Sequence, residues 1–207
     1  MERSRLIILR HGETAWNVEG RYQGHLDSPL TPRGEAQARA LARRLTGVSF
    51  TTLYSSDLGR ATQTAGIIAQ ATRHEVLPDS RLRERNLGVF QGLLKSEIKQ
   101  KLADEYRLFK TAGPDYAMPG GESARQAAER SLVCLEELAQ RHLGETIVLV
   151  AHGGTISVLL RHTLGIPLEA PRRFARFNAS WNVFTWDDGK WRLETWGDVN
   201  HLSSAGC

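Results

Sequence analysis

The chain has 207 residues, of which 41% are hydrophobic and 24% charged, and its formal net charge is +4 at pH 7. This length and composition predict one globular domain over residues 1–207, and the mild positive charge without a Lys/Arg block favours acidic small ligands over nucleic acid. No apolar run approaches the roughly 18 residues of a membrane span, and the two cysteines have no disulfide or metal-binding spacing, so we expect a cytoplasmic protein with no membrane partner and no metal site.

The first predicted element is a short apolar strand at residues 6–9, which runs directly into Arg10 and His11. Thr31 followed by proline predicts the start of a helix, because Thr is a common N-cap and proline favours the first helical position. A second strand at residues 53–55 precedes a helix that is expected to begin at residue 57 and to carry Arg60. Both strands are therefore followed closely by cationic side chains.

The middle of the chain departs from this alternation of strand and helix. Residues 94–106 carry apolar side chains at helical spacing and predict one helix, and the glycines and prolines of residues 113–121 predict a loop. We interpret residues 93–121 as a small helical excursion that covers the ligand site. Contacts to the leaving group are expected from Trp16, Gln23 and residues 116–123.

A longer helix and a third strand follow the excursion. Ser123 matches the first position of a capping box, and the continuous apolar run at residues 147–151 is typical of a strand covered on both faces. This strand ends at His152, and another helix follows it. Two β-rich runs on either side of the Asp-Gly pair at residues 188–189 predict a hairpin.

The alternation of strands and helices predicts an α/β fold, a three-layer α/β/α sandwich with a mainly parallel central sheet. The hairpin near the C-terminus adds an antiparallel edge, a surface at which two copies of the chain can pair as a homodimer. Ligands of such sheets bind beyond the carboxyl ends of the strands. We therefore expect Arg10, His11, Arg60 and His152 to meet on one rim.

Four sequence blocks, which occur in a fixed order, resemble those of a known family. They are LRHGET at residues 9–14 with WN at 16–17, SSDLGRA at 55–61, LRER at 82–85, and AHGG at 151–154. In these blocks the chain resembles the histidine phosphatase superfamily, also called the phosphoglycerate mutase-like family. The resemblance covers most of the chain.

The resemblance implies a phosphatase that needs no metal or other cofactor and works through a phosphohistidine. His11 would be the nucleophile and Glu84 the proton donor. The phosphate pocket would consist of Arg10, Arg60 and His152, and substrate-binding positions implied in the same way are Asn17, Gln23, Gly24 and Gly153. A surface salt-bridge patch is an alternative interpretation of Glu84 and the arginines beside it.

These residue types suit phosphoryl transfer. Arginines offer bidentate donors to phosphate oxygens, and His152 can add a donor and a positive charge. Neighbouring arginines should lower the pKa of His11, and a hydrogen bond from one of its ring nitrogens should fix the tautomer that leaves the other free to attack. An alkoxide leaving group needs a proton, which is the role expected of Glu84.

Three functions stay open at this point. We favour a phosphatase that acts on small phosphomonoesters, because the excursion is shorter than the insertion that covers the site and excludes water in the mutases of the family that the chain resembles. The second function is a phosphoglycerate mutase dependent on 2,3-bisphosphoglycerate, which uses the same residue types. The third is a catalytically silent module that binds a phosphorylated ligand and regulates a partner. The sequence identifies no particular substrate and gives no role to Asn200 and His201, which also resemble a segment of related phosphatases.

Overall fold

A computed structural model describes residues 2–203 of the chain. Its strands are β1 Ser4–Arg10, β2 Thr52–Ser55, β3 Val76–Pro78, β4 Thr146–Ala151, β5 Trp181–Asp187 and β6 Lys190–Asp198. Its helices are α1 Ala15–Glu19, α2 Pro32–Leu45, α3 Gly59–Thr72, α4 Lys95–Lys101, α5 Ala103–Thr111, α6 Ala124–Arg141, α7 Gly153–Thr163 and α8 Asn200–Ser203.

The six strands form one sheet in the order β3-β2-β4-β1-β5-β6. Strands β1 to β4 are parallel to one another, whereas β5 is antiparallel to β1 and to β6. The predicted mainly parallel sheet with an antiparallel C-terminal edge is confirmed. The short edge strand β3 was not predicted, because its three residues carry too little periodicity to identify a strand.

Helices cover both faces of the sheet, and the side chains of β1 show how the two layers are built. Leu6 and Ile8 pack in one cluster with residues of α6 and α7. Ile7 and Leu9 pack on the opposite face with residues of α2 and α3. All four side chains are completely buried, as is typical of a strand between two helical layers. The predicted three-layer sandwich is confirmed.

Two of the predicted helix starts are confirmed and a third is shifted. The hydroxyl of Thr31 accepts a hydrogen bond from Gly34 N at 3.0 Å, and Ser123 caps α6 with a complete capping box. Helix α3, however, begins two residues after Asp57, because the carboxylate of Asp57 instead accepts from Arg83 Nε at 2.7 Å.

The single helix predicted for residues 94–106 is wrong, since the segment forms α4 and α5 with a break at Leu102, where φ is −136°. Side chains four residues apart drift around a helix by about 40° at each step. A straight helix would therefore turn its later apolar residues away from the small cluster around Phe90. The break lets Ile98, Leu102 and Phe109 all contact that cluster.

No helix within residues 2–203 is long and apolar enough to cross a membrane. Cys134 lies buried in α6, and burial raises the pKa of its thiol to about 12; Cys207 falls outside the described residues. Strand β6 forms one edge of the sheet, and pairing of two copies at this edge stays a prediction.

Candidate active site

The order of the strands brings the predicted site residues together. Because β4 lies between β1 and β2, three neighbouring parallel strands end at the same rim of the sheet. Arg10 pairs with Ala151 in the register of β1 and β4, so His11 and His152 follow at the same level. Arg60 reaches this rim from the first turn of α3, directly after β2.

The imidazole of His11 is almost fully buried, with 3% of the residue exposed. Its Nδ1 lies 2.8 Å from the carbonyl oxygen of Gly12. Since a carbonyl oxygen can only accept, Nδ1 carries the proton and Nε2 carries a lone pair. Burial, reinforced by the charges of Arg10 and Arg60, lowers the pKa of His11 well below its ordinary value. The ring is therefore neutral at neutral pH.

His152 lies beside His11, with 5.2 Å between the ring centroids. Its Nε2 is 2.8 Å from the hydroxyl oxygen of Ser56, which itself accepts from Leu58 N at 3.3 Å. The hydroxyl proton is then free to donate to Nε2, which leaves the proton of His152 on Nδ1. Burial and the charge of Arg60 lower the pKa of His152 well below its ordinary value. The positive charge expected of His152 is thus absent at neutral pH, and the residue offers an N–H donor.

Three buried nitrogens in this cluster have no hydrogen-bond partner within residues 2–203: Arg10 Nε, Arg60 Nε and His152 Nδ1. A buried donor left unpaired costs about 1–3 kcal/mol, so such groups are rare in stable folds. All three belong to the residues grouped around His11. An arrangement of unpaired donors beside a neutral imidazole favours the binding of an anion there.

Hydrogen bonds to backbone and carboxylate oxygens hold the guanidinium groups of Arg10 and Arg60 in place. Arg60 donates to the carbonyl of Gly24 at 2.8 Å and to Asp27 Oδ1 at 2.9 Å. Arg10 donates from Nη1 to the carbonyl of Arg176. Burial, with repulsion from Arg176, lowers the pKa of Arg10 to about 10. Both guanidiniums are fixed in place, and that of Arg10 stays charged at neutral pH.

Glu84 lines the same cleft as His11. Its Oε2 accepts from Gly154 N and its Oε1 from Arg85 N, both at 2.9 Å. A Cβ on Gly154 would overlap Glu84 Oε1, so glycine is required for this close approach. Within residues 2–203 the carboxylate of Glu84 forms no ion pair, while Arg83 pairs with Asp57. Glu84 is therefore not part of a surface salt-bridge patch.

The predicted substrate-binding residues divide into two groups. Asn17 and Gln23 lie on the wall of the cleft. Asn17 Oδ1 accepts from Thr14 N at 3.2 Å, and Gln23 Nε2 donates to the Thr14 hydroxyl at 2.9 Å. Gly24 and Gly153 lie against the arginines: Gly24, which also lines the cleft, supplies a carbonyl to Arg60, and a Cβ on Gly153 would lie 3.4 Å from Arg10 Nε.

Sequence reasoning missed Asn178, which lies in the connection between α7 and β5. Its Nδ2 is 3.1 Å from the carbonyl oxygen of His11, 3.2 Å from that of Gly12 and 3.1 Å from Asn17 Oδ1. This connection has no apolar periodicity, and its signal in the sequence is a group of arginines just before the hairpin, at residues 172, 173 and 176.

The structure also gives His201 a role that its sequence did not reveal. Its Nε2 lies 3.0 Å from the carbonyl oxygen of Ala179, and Ala179 N donates to the carbonyl of His11 at 3.2 Å. Ala179 has a positive φ of 52°, a conformation that a non-glycine residue adopts at a cost. Helix α8 therefore supports the segment that donates a hydrogen bond to the backbone of His11.

These residues surround a cleft of about 820 Å³ whose lining includes eight arginines and one acidic residue, Glu84. Residues 116–123, expected to contact the leaving group, do not line it, because Met118 is buried in the cluster around Phe90. Phe109 and Ala124 line the cleft instead. Within the described part of the chain, no group of three or more His, Cys, Asp and Glu side chains could hold a metal ion.

The sequence pattern of the histidine phosphatase superfamily, branch 1, matches residues 6–199. The chain belongs to this superfamily. A metal-independent phosphoserine phosphatase of Arabidopsis thaliana is 41% identical, and the match covers 99% of this chain and 86% of that protein. A probable phosphoglycerate mutase of Escherichia coli is 37% identical over 96% of this chain and 95% of its own length.

The fold agrees with this membership. The structure of mycobacterial glucosyl-3-phosphoglycerate phosphatase in complex with VO3 superposes with a TM-score of 0.83 and 38% identity, and covers 94% of this chain and 99% of that chain. The predicted enzyme class, a phosphoric monoester hydrolase of the histidine phosphatase type, is confirmed at this level.

Proposed function

We propose that this enzyme hydrolyses small phosphorylated metabolites by way of a phosphohistidine on His11, with Glu84 as the proton donor. One observation carries the proposal: the neutral ring of His11, with its lone pair on Nε2, lies among the unpaired donors of Arg10, Arg60 and His152. A nucleophile and donors for phosphate oxygens are the two things that phosphoryl transfer requires of a protein.

In the first step, Nε2 of His11 attacks phosphorus and the bond from phosphorus to the leaving oxygen breaks. The N–H groups of Arg10, Arg60 and His152 stabilise the charge on the non-bridging oxygens. The carboxylic acid of Glu84 gives its proton to the leaving oxygen, so the alcohol departs neutral. The phosphoryl group is then bound to His11.

In the second step, water attacks phosphorus and the bond from phosphorus to Nε2 breaks. The carboxylate of Glu84 takes a proton from that water and returns to its acid form. Phosphate leaves, and His11 is again neutral with its proton on Nδ1. A cleft of about 820 Å³ is the size of sites that bind small molecules.

The covalent step is tested by trapping the phosphoryl group. The protein is incubated with a phosphoryl donor labelled on phosphorus and quenched in alkali, which preserves phosphohistidine, and the labelled peptide is mapped. We expect the label on His11 and its loss in His11→Gln. The matched control is His162→Gln, an exposed histidine on α7, which should keep the label. Label on another side chain would refute the mechanism.

The role of Glu84 is tested with two leaving groups. Glu84→Gln should lower kcat/KM, which reports on the steps up to departure of the leaving group, by about 10²–10⁴-fold for an alkyl phosphate, because an alkoxide cannot leave without a proton. The same variant should lower kcat/KM for p-nitrophenyl phosphate much less, since the phenolate leaves unaided. Equal losses for both substrates would contradict the assignment.

A phosphoglycerate mutase is the second candidate, because one relative carries the name probable phosphoglycerate mutase. The enzyme is given 3-phosphoglycerate with and without 2,3-bisphosphoglycerate, and inorganic phosphate and 2-phosphoglycerate are both followed. The phosphatase proposal expects phosphate release in both conditions. Rapid formation of 2-phosphoglycerate, dependent on the bisphosphate and with little phosphate release, would establish the mutase instead.

A further inference from the structure

The cleft continues beyond the phosphate pocket into a second space of about 560 Å³, which we call the outer lobe. Four arginines line both spaces: Arg85, Arg161, Arg172 and Arg176. They come from three separate parts of the chain, the segment after β3, helix α7 and the connection between α7 and β5. The phosphate pocket itself uses two other arginines, Arg10 and Arg60.

The protein offsets the positive charge of the outer lobe only in part, through the attraction of Glu84 for Arg85 and Arg176 and of Glu122 for Arg85. None of its four arginines forms an ion pair with any residue in the range 2–203. Lys110 adds a further positive charge, and the acidic residue in the lining, Glu169, lies 3.6 Å from Arg125 outside the lobe. Arginines without an ion-pair partner in a partly buried space favour the binding of an anion.

Two of the four arginines are fixed by backbone carbonyls. Arg85 donates to Glu122 O at 2.8 Å and to Tyr116 O at 3.0 Å. Arg161 donates to Ala170 O at 2.8 Å. These bonds hold the guanidiniums in position before any ligand arrives, which reduces the entropy lost on binding.

The other two arginines keep all their donors free. Arg172 and Arg176 donate no side-chain hydrogen bond to residues 2–203, although Arg176 is only partly exposed. A Cβ on Gly153 would lie 3.4 Å from both Arg176 Nη1 and Arg10 Nε, so these two nitrogens are close to the same point. Arg176 therefore reaches from the outer lobe to the edge of the phosphate pocket. Burial lowers the pKa of Arg176; the charge of Glu84 opposes this shift, and repulsion from Arg172 adds to it.

We propose that the outer lobe binds a second anionic group of the substrate, a carboxylate or a second phosphate, carried by the leaving group. Arg172 and Arg176 supply the donors, and Arg85 and Arg161 supply fixed positive charge. This inference rests on the proposed phosphatase function and narrows its substrates to phosphomonoesters with a further negative charge. A neutral leaving group would leave the arginines of the lobe unpaired.

The test uses three substrates with the same three-carbon skeleton. Glycerol 3-phosphate has a neutral leaving group, 3-phosphoglycerate replaces its terminal CH₂OH with a carboxylate, and glycerol 1,3-bisphosphate adds a second phosphate. For each anionic substrate the readout is the preference ratio, its kcat/KM divided by that of glycerol 3-phosphate. We expect at least one ratio to exceed about 10, because a site built for a polar group discriminates strongly against its absence. The larger ratio identifies the anion.

The preference ratio is then measured in variants. Arg172→Gln combined with Arg176→Gln should lower the larger ratio at least fivefold, and Arg176→Lys should retain part of it. The matched control is Arg173→Gln, which removes the same charge from an exposed neighbour that lines neither space. This control should leave the activity and the ratio unchanged. Arg172→Gln alone changes an exposed side chain, so it reports on the lobe even where the double variant fails to fold.

The outcomes separate this inference from the proposed function. Ratios near one in the unmodified enzyme would overturn the second-anion site and leave the phosphatase intact. An equal fall in the ratio for Arg173→Gln would assign the preference to long-range attraction and would also overturn it. Failure to hydrolyse p-nitrophenyl phosphate and all three substrates would refute the proposed function itself.

Discussion

At the scale of single residues, the proposed nucleophile His11 is contacted by Asn178, a residue outside the sequence blocks. The carbonyl of Gly12, which accepts from Nδ1 of His11, is also within 3.2 Å of Asn178 Nδ2. The same nitrogen approaches Asn17 Oδ1, which takes part in capping α1. Asn178 thus links the backbone of His11 and Gly12 to helix α1, and we infer that it positions His11.

Two substitutions at Asn178 distinguish the loss of its hydrogen bonds from the addition of a negative charge near His11. Asn178→Ala removes the donor and should lower kcat about tenfold, as is typical when a group that orients a reacting residue is lost. Asn178→Asp adds a negative charge close to His11, which stabilises the protonated ring and should raise the pKa of His11 by about one unit or more. The acidic limb of the kcat/KM profile should then move to higher pH in Asn178→Asp.

The pH profiles of the two variants, measured with p-nitrophenyl phosphate, give the comparison. Thermal unfolding of each variant serves as the control for folding. An acidic limb that moves equally in both variants, or in neither, would show that Asn178 acts through the fold alone.

At the scale of elements, the sequence predicted the features that depend on neighbouring residues, and it did not predict those that depend on contacts between distant segments. The Thr31 cap and the Ser123 capping box depend on neighbouring residues, and so does the hairpin turn at residues 188–189, where both φ angles are positive. The break at Leu102 and the strand order depend on packing between distant segments. The blocks at strand ends predicted that Arg10, His11, Arg60 and His152 lie together, whereas Asn178 and Arg176 lie in a connection whose position only the fold determines.

The start of α2 gives a test in which local propensity and packing predict opposite signs. Propensity alone expects Gly34→Ala to stabilise a helix by about 1 kcal/mol. A Cβ on Gly34, however, would overlap the carbonyl oxygen of Glu13, in the loop after His11. Because that neighbour is backbone and cannot move aside cheaply, we expect a loss of about 1–3 kcal/mol in the free energy of unfolding.

The matched control is Gly66→Ala in the interior of α3, where a Cβ would meet no atom within 4 Å. This change should raise the free energy of unfolding by about 0.5–1 kcal/mol. Urea unfolding of both variants measures the two effects. A gain in stability for Gly34→Ala would refute the close packing of α2 against the loop.

At the scale of the whole molecule, the two buried histidines of the site lower the free energy of unfolding at acidic pH. Burial lowers the pKa of both His11 and His152 in the folded state below the ordinary value of 6.5. Between the folded pKa and 6.5, the unfolded chain therefore binds more protons than the folded one. The free energy of unfolding should rise with pH through this window and reach its full value above about 6.5.

Within this window the unfolded chain binds one more proton at each of the two histidines than the folded chain does. Each proton adds about 1.4 kcal/mol per pH unit to the slope of the free energy of unfolding against pH. The double variant His11→Gln with His152→Gln should lose that share of the slope. Urea unfolding between about pH 5 and pH 7.5 measures it in both proteins. Parallel curves would show that the two rings are not held neutral by the fold. We also propose that residues 1–207 form one domain, so each curve should show a single transition.

The position of β1 bears on how the enzyme is made. Among the six strands it is the first to be synthesised, yet its neighbours in the sheet are β4 and β5, which begin at residues 146 and 181. Pairings so distant along a chain form slowly and late. A ribosome must therefore synthesise the chain at least as far as β5 before His11, which directly follows β1, can acquire its neighbours in the folded protein.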